Sequence, residues 1–183
     1  GDWLLPLART AIGGVLGADP GPRGEVPTPV PEWMESQGAT FVPLTQNGHL
    51  RGCIGSLLAH RALVDDLRYN AVASATQDYR FPTLTADELA RTDIEVSVLS
   101  APTPIEFSTR AELEEQLRPG VDGLILTVEL RRATFLPQVW DQLPKPALFI
   151  DQLLAKAGVS PDRVEWASDR VTAKRYTVTD WAE

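Results

Sequence analysis

The sequence predicts an α+β fold, mainly antiparallel sheet with packed helices, and three observations carry that expectation. Asn47-Gly48 sits between two strand-like runs. Within Asp93 to Leu99, polar and apolar side chains alternate strictly as far as Val98. Helical stretches fall between strands without the regular strand-helix-strand repeat that a parallel sheet needs.

From Asp2 to about Leu16, Leu4, Leu5, Ala8, Ile12, Val15 and Leu16 recur at helical spacing, with Pro6 tolerable near a first turn. The Pro/Gly-rich stretch 17–31 carries Pro20, Pro22, Pro27, Pro29 and Pro31, and reads as an extended connector. Thr40 to Gln46 and His49 to Ile54 form a hairpin about Asn47-Gly48. Counting out from the turn pairs Leu44 with Arg51, Pro43 with Gly52 and Val42 with Cys53. Pro43 then falls in a non-hydrogen-bonded pair, and its missing N–H discourages pairing on the strand's other side.

Arg61 to Gln77 reads as a helix, and Asp78-Tyr79-Arg80-Phe81-Pro82 as the loop that leaves it. Thr85 with Glu88 and Thr109 with Glu112 are spaced as capping boxes for two further helices. Leu124 to Leu130 is apolar enough for a central strand, with Ala133 to Leu136 its partner across Arg131-Arg132. Pro146 opens a helix to Lys156 that Gly158 stops. Val164 to Ala167 and Val171 to Val178 read as the final strands.

A chain of 183 residues can bury its own core, and a single domain over 1–183 is expected. The net charge of -8 argues against a nucleic-acid or anionic-membrane partner. One cysteine forms no internal disulfide, and no apolar run is long enough for a membrane helix, which points to a reduced, cytoplasmic protein. Cys53 with His49 and His60 matches no zinc spacing, so neither metal nor cofactor is expected.

The stretch Gln46 to Ser56, QNGHLRGCIGS, concentrates the chemistry. In the counted register His49, Arg51 and Cys53 share one face. A guanidinium beside a thiol favours the thiolate, the form that attacks electrophiles. Against that, a lone cysteine is most often simply buried. Gly52 and Gly55 suit a strand that bends or lets another backbone approach. Asp78 and Arg80 read either as a solvated helix exit or as an anion fork with its orienting carboxylate. Glu95, on the polar face of its strand, joins them only if that face lines the same site.

Five blocks in order carry a resemblance: Leu50-Arg51-Gly52-Cys53-Ile54-Gly55, Asp78-Tyr79-Arg80-Phe81-Pro82, Asp93 to Leu99, Phe135-Leu136-Pro137-Gln138-Val139 and Lys156-Ala157-Gly158. Together the chain resembles the AMME chromosomal region protein family, whose bacterial and archaeal members are labelled protein A of the AmmeMemoRadiSam set. The resemblance implies an α+β fold of two unequal lobes around a cleft near the Arg51-Gly52-Cys53-Ile54-Gly55 segment. It also implies association with a Memo-like protein and a radical S-adenosylmethionine protein, and no established reaction. The first expectation is a binding or adaptor component using Arg51, Gly52, Gly55, Asp78, Arg80 and Glu95. The alternative is an enzyme or enzyme subunit with Cys53 as its nucleophile. Nucleic-acid binding ranks third.

Overall fold

Asn47 and Gly48 both take positive φ, 51° and 76°, as a two-residue hairpin turn demands. They join strand β1 (Gln37–Gln46) to strand β2 (His49–Gly55) in an antiparallel pair. The computed structural model describes residues 2–183. These divide into a first unit that runs to Leu99 and resumes at Thr179–Glu183, and a second, Ser100–Val178.

The first unit contains helix α1 (Leu4–Leu16), the short strand β3 (Arg61–Ala62), helix α2 (Leu63–Thr76), helix α3 (Ala86–Leu89), strand β4 (Asp93–Leu99) and strand β9 (Val178–Ala182). Its sheet has the order β2-β1-β4-β9 with β3 paired to β1, so β2 is an edge. Leu7 and Ile12 of α1 and Leu67 and Ala71 of α2 form one buried cluster with Val42, Leu44, Ile94 and Val96 of the sheet. The alternation in Asp93 to Leu99 therefore does supply a core face. Stretch 17–31 contains only a three-residue 3-10 turn, Pro22–Gly24.

Two features of the hairpin differ from each other in how they meet expectation. The β1–β4 pairs skip from Phe41↔Ser97 to Leu44↔Ile94, at the place where Pro43 has no N–H to give. The β1–β2 register, by contrast, is not the counted one. Gln46 pairs with His49 and Thr45 with Leu50, but Leu44 pairs with Gly52, Pro43 with Cys53 and Val42 with Ile54. Arg51 is the extra residue of a β-bulge. One inserted residue exchanges the two faces, so Leu50 shares the face of Cys53 and His49 lies on the other. The bulge has a packing reason. A Cβ on Gly52 would stand 2.2 Å from the carbonyl oxygen of Ser74, so the main chain of α2 approaches the strand where only glycine fits.

The second unit holds strand β5 (Thr103–Ile105), helix α4 (Arg110–Gln116), strands β6 (Gly123–Val128) and β7 (Arg131–Phe135), helix α5 (Pro146–Ala157) and strand β8 (Val171–Tyr176). Its sheet has the order β5-β8-β6-β7. Trp140 stacks on Phe149 at 3.8 Å between centroids, and its indole N–H donates to Asp122 O at 2.7 Å. At the unit's ends, Ser100 N–H donates to Thr177 O and Thr177 N–H to Ser100 Oγ, both at 2.9 Å.

Both capping boxes form, and Gly158 ends α5 in the left-handed conformation at φ 70°. The β6–β7 turn falls at Glu129-Leu130 instead of Arg131-Arg132, with Glu129 at φ 55°. Val164 to Ala167 is not a strand. Val164 is buried, but the chain folds back on itself there through Ser168 N–H to Glu165 O. The final run divides at Thr177 into β8 and β9, which belong to different sheets. Strand β5 is hidden in the sequence because Pro104 reads against a strand; at a sheet edge its missing N–H is harmless.

Candidate functional site

The pairing rule fixes which way Cys53 points its main chain. Pro43 cannot donate, so Pro43↔Cys53 is a non-hydrogen-bonded pair, and the N–H and C=O of Cys53 face outward from the edge of β2. Both groups are met by side chains from the loop after α2. Asp78 Oδ2 accepts the Cys53 N–H at 2.9 Å, and Arg80 Nη2 donates to Cys53 O at 3.3 Å. The two side chains are themselves joined, Arg80 Nε to Asp78 Oδ1 at 2.9 Å and Nη2 to Oδ2 at 2.7 Å. Asp78 is almost fully buried, with 2% of its side chain exposed, while Arg80 keeps 45% in solvent.

The charges follow from this geometry. Hydrogen bonds from Arg80 hold the Asp78 carboxyl far below the usual carboxylate range, aided by the Cys53 and Arg80 N–H groups and opposed by burial. The Cys53 thiol is pushed up, first by burial; Arg80 pulls it down, and Asp78 and Glu95 push it further up. Arg51 is not among the charges that act on it. Glu95 is also raised, by burial and then by Asp180. The β1–β4 register is the same on both sides of its gap, so Glu95 lies opposite Pro43. Cys53, Pro43 and Glu95 thus form one row across three strands, roughly 10 Å from end to end.

Arg51 has a different set of partners. Its guanidinium binds Glu88 through Nε at 3.2 Å and Nη2 at 3.0 Å, and donates through Nη1 to Pro82 O at 2.7 Å. Arg51 and Arg80 share no partner among these bonds. Glu88 also closes the capping box of α3, accepting the Thr85 N–H at 2.9 Å. The Arg51 bonds, followed by that of Thr85, lower the Glu88 pKa to about 2. A carboxyl depressed by folding stabilises the native state above its unfolded pKa and loses that contribution as pH falls toward the folded value. Stability should therefore drop between about pH 4.5 and 2, and Glu88→Gln should flatten that stretch of a urea-midpoint profile. An unchanged slope would remove Glu88 from the acid transition.

Gly55 belongs to the same surface. A Cβ there would stand 2.3 Å from the Phe41 ring, so the ring lies directly on the strand. Beyond it, Ser56 Oγ donates to Asp66 Oδ1 at 2.7 Å. Asp66 is fully buried and also accepts the Thr40 N–H at 2.8 Å, Thr40 Oγ1–H at 2.9 Å and Asn70 Nδ2–H at 2.9 Å. Arg61 Nε lies 3.1 Å from Oδ1, an ion-pair distance without the angle of a hydrogen bond. The sequence marks Glu88 only as a capping-box residue and does not mark Asp66, since carboxylates in a helix's first turn read as ordinary dipole partners. A cavity of about 540 Å³ in the second unit, lined by Arg131 and Arg163 among others, contains none of the expected site residues.

The profile of the AMMECR1 family matches residues 5–181. The chain belongs to the AMMECR1 family. Curated relatives include a protein of Methanothermobacter thermautotrophicus, 37% identical over 167 residues, covering 88% of this chain and 84% of that one. One of Methanosarcina mazei is 35% identical over 167 residues, covering 88% and 82%. Among solved structures, the crystal structure of the uncharacterized protein PH0010 from Pyrococcus horikoshii aligns with a TM-score of 0.80 and 31% identity, covering 100% of this chain and 91% of that one. The α+β architecture is thus shared with that solved structure. Among the described residues no helix is long and apolar enough to cross a membrane.

Proposed function

We propose that this AMMECR1 chain is a binding or adaptor component acting in the cytoplasm, and that it engages its ligand or partner on the sheet face of Cys53 and Glu95, with Arg80 at the rim. The observation that carries this reading is the setting of the thiol. Cys53 is half-buried, burial pushes its pKa up, and the cation nearest to it is already neutralised by Asp78. Among the described residues no hydrogen bond joins Cys53 to a histidine: His49 lies on the opposite face, and His60 Nδ1 meets Leu58 O at 3.0 Å. The partners assigned to this surface are the Memo-like and radical S-adenosylmethionine proteins that the family resemblance implies. The net charge of -8 disfavours nucleic acid.

The test is the pH profile of native Cys53 alkylation by iodoacetamide, read beside co-purification with those two proteins. An unassisted thiol, with a pKa of about 8.5, is only a few per cent ionised near neutrality and reacts slowly. Cys53 should react no faster than that, and Cys53→Ser should keep most partner binding. Rapid labelling near neutral pH, with partner processing lost in Cys53→Ser, would replace this reading by the alternative, an enzyme or enzyme subunit using Cys53 with its charged neighbours.

A further inference from the structure

An edge strand exposes a row of unpaired N–H and C=O groups, which is a template for another strand. At the centre of β2 those groups belong to Cys53, and a side-chain carboxylate and guanidinium occupy them as the backbone of a neighbouring strand would. The loop that supplies them runs on beside β2 and is held again by Arg51, through Pro82 O at 2.7 Å and Thr83 O at 3.4 Å. Among the described residues no backbone–backbone hydrogen bond ties this loop to β2; every tie runs from a side chain to main chain, in both directions. Its internal turn is closed by Phe81 N–H to Asp78 O at 3.0 Å, and Tyr79 at its tip is 96% exposed. Pro82 adds no donor.

We propose that Asp78–Thr83 is a guard strap on the β2 edge, with Asp78 and Arg80 as the positioning residues that keep a second copy of this chain from adding its own β2 at Cys53. The Arg51 bulge is part of the same device, since bulges and charged side chains are the usual means of closing an edge. The occupant the strap excludes is fixed by the pairing geometry. With the outward groups of Cys53 freed, two β2 strands would meet antiparallel about a two-fold axis through that residue, self-complementary as such an interface must be. The two Cys53 Cα atoms would then lie about 5.5 Å apart, within disulfide range.

The experiment compares the full chain with an Asp78→Ala, Arg80→Ala double variant by sedimentation velocity over a concentration series and by mild oxidation with diamide. Diamide takes two electrons and two protons from a thiol pair and is reduced to the hydrazine, leaving the disulfide. The variant should self-associate at concentrations where the parent does not, and oxidation should give a covalent dimer linked Cys53 to Cys53. A folded variant that sediments like the parent overturns the proposal, and so does a dimer in which Cys53 stays reduced. Should the double variant fail to fold, amide hydrogen exchange on the parent decides. The Cys53 N–H must then be protected like that of a central strand such as β6; exchange as fast as an exposed loop amide overturns the strap. This outcome is independent of thiol reactivity, so it stands or falls apart from the binding function.

Discussion

Asp66→Ala should lower stability by about 3–5 kcal/mol, the range for removing one partner from a buried ionic network. The effect is large because the carboxyl group is the hub of several donors. Its loss takes the acceptor from the buried Thr40 N–H and from the Thr40 and Ser56 hydroxyls, while the Asn70 amide keeps Thr40 O at 3.1 Å. Arg61, 28% exposed, would lose its counter-ion as well. Asp66→Asn should cost less, because one oxygen still accepts, yet its new NH2 group faces donors. Urea midpoints of the two variants, read with an unchanged m-value, check the ordering. A cost below about 1 kcal/mol for the alanine variant would mean that the cluster relaxes or hydrates, and that Asp66 does not hold the end of β2 in place.

Arg9→Met should have an effect of the same size, about 3–5 kcal/mol, by the same argument. Arg9 is 1% exposed on α1, and its fork joins three separate parts of the first unit. It pairs with Glu183, donating through Nε to Oε1 at 2.7 Å, and it donates to Leu89 O at 2.9 Å and Thr92 O at 2.6 Å. Glu183 in turn accepts the Ile94 N–H at 3.1 Å and meets Arg23 at 3.1 Å. Methionine fills much of the volume and supplies no donor, so Thr92 O loses this partner, Leu89 O keeps only the Thr92 N–H, and the 7%-exposed Glu183 carboxylate is left with the Ile94 N–H and the half-exposed Arg23. Adding Glu183→Gln should recover part of the loss, since the buried charge that has lost its better-buried counter-ion goes with it. A double-mutant cycle in urea measures that coupling, and strict additivity would show that the two side chains act independently.

What was legible beforehand was local. Asn47-Gly48 and the two capping boxes are set by residues within four positions of one another, and the Asp93 to Leu99 alternation needs no partner to be read. Pro43 even announced the break in the β1–β4 ladder. The bulge at Arg51 was not legible because its cause is distant: Ser74 closes on Gly52, and Glu88, 37 positions away, draws the Arg51 guanidinium outward. The candidate residues separate for the same reason. Cys53, Asp78 and Arg80 meet, Glu95 stands across Pro43 from them, and Arg51 is tied to α3. Short range signals told which elements exist, while the pairings that give each charged residue its task are long range.

The interruption of the first unit between Leu99 and Thr179 has a kinetic consequence. β9 can join β4 only by closing a chain excursion that contains the whole second unit, and closure entropy grows with the length of free chain. If the second unit condenses first, the Ser100–Thr177 bonds pin its two ends together, and the loop to be closed shrinks to almost nothing. The nascent chain also emerges in an order that leaves β4 exposed while residues 100–178 are made. The clasp of Glu183 on Arg9 is then a late event that locks an already formed sheet.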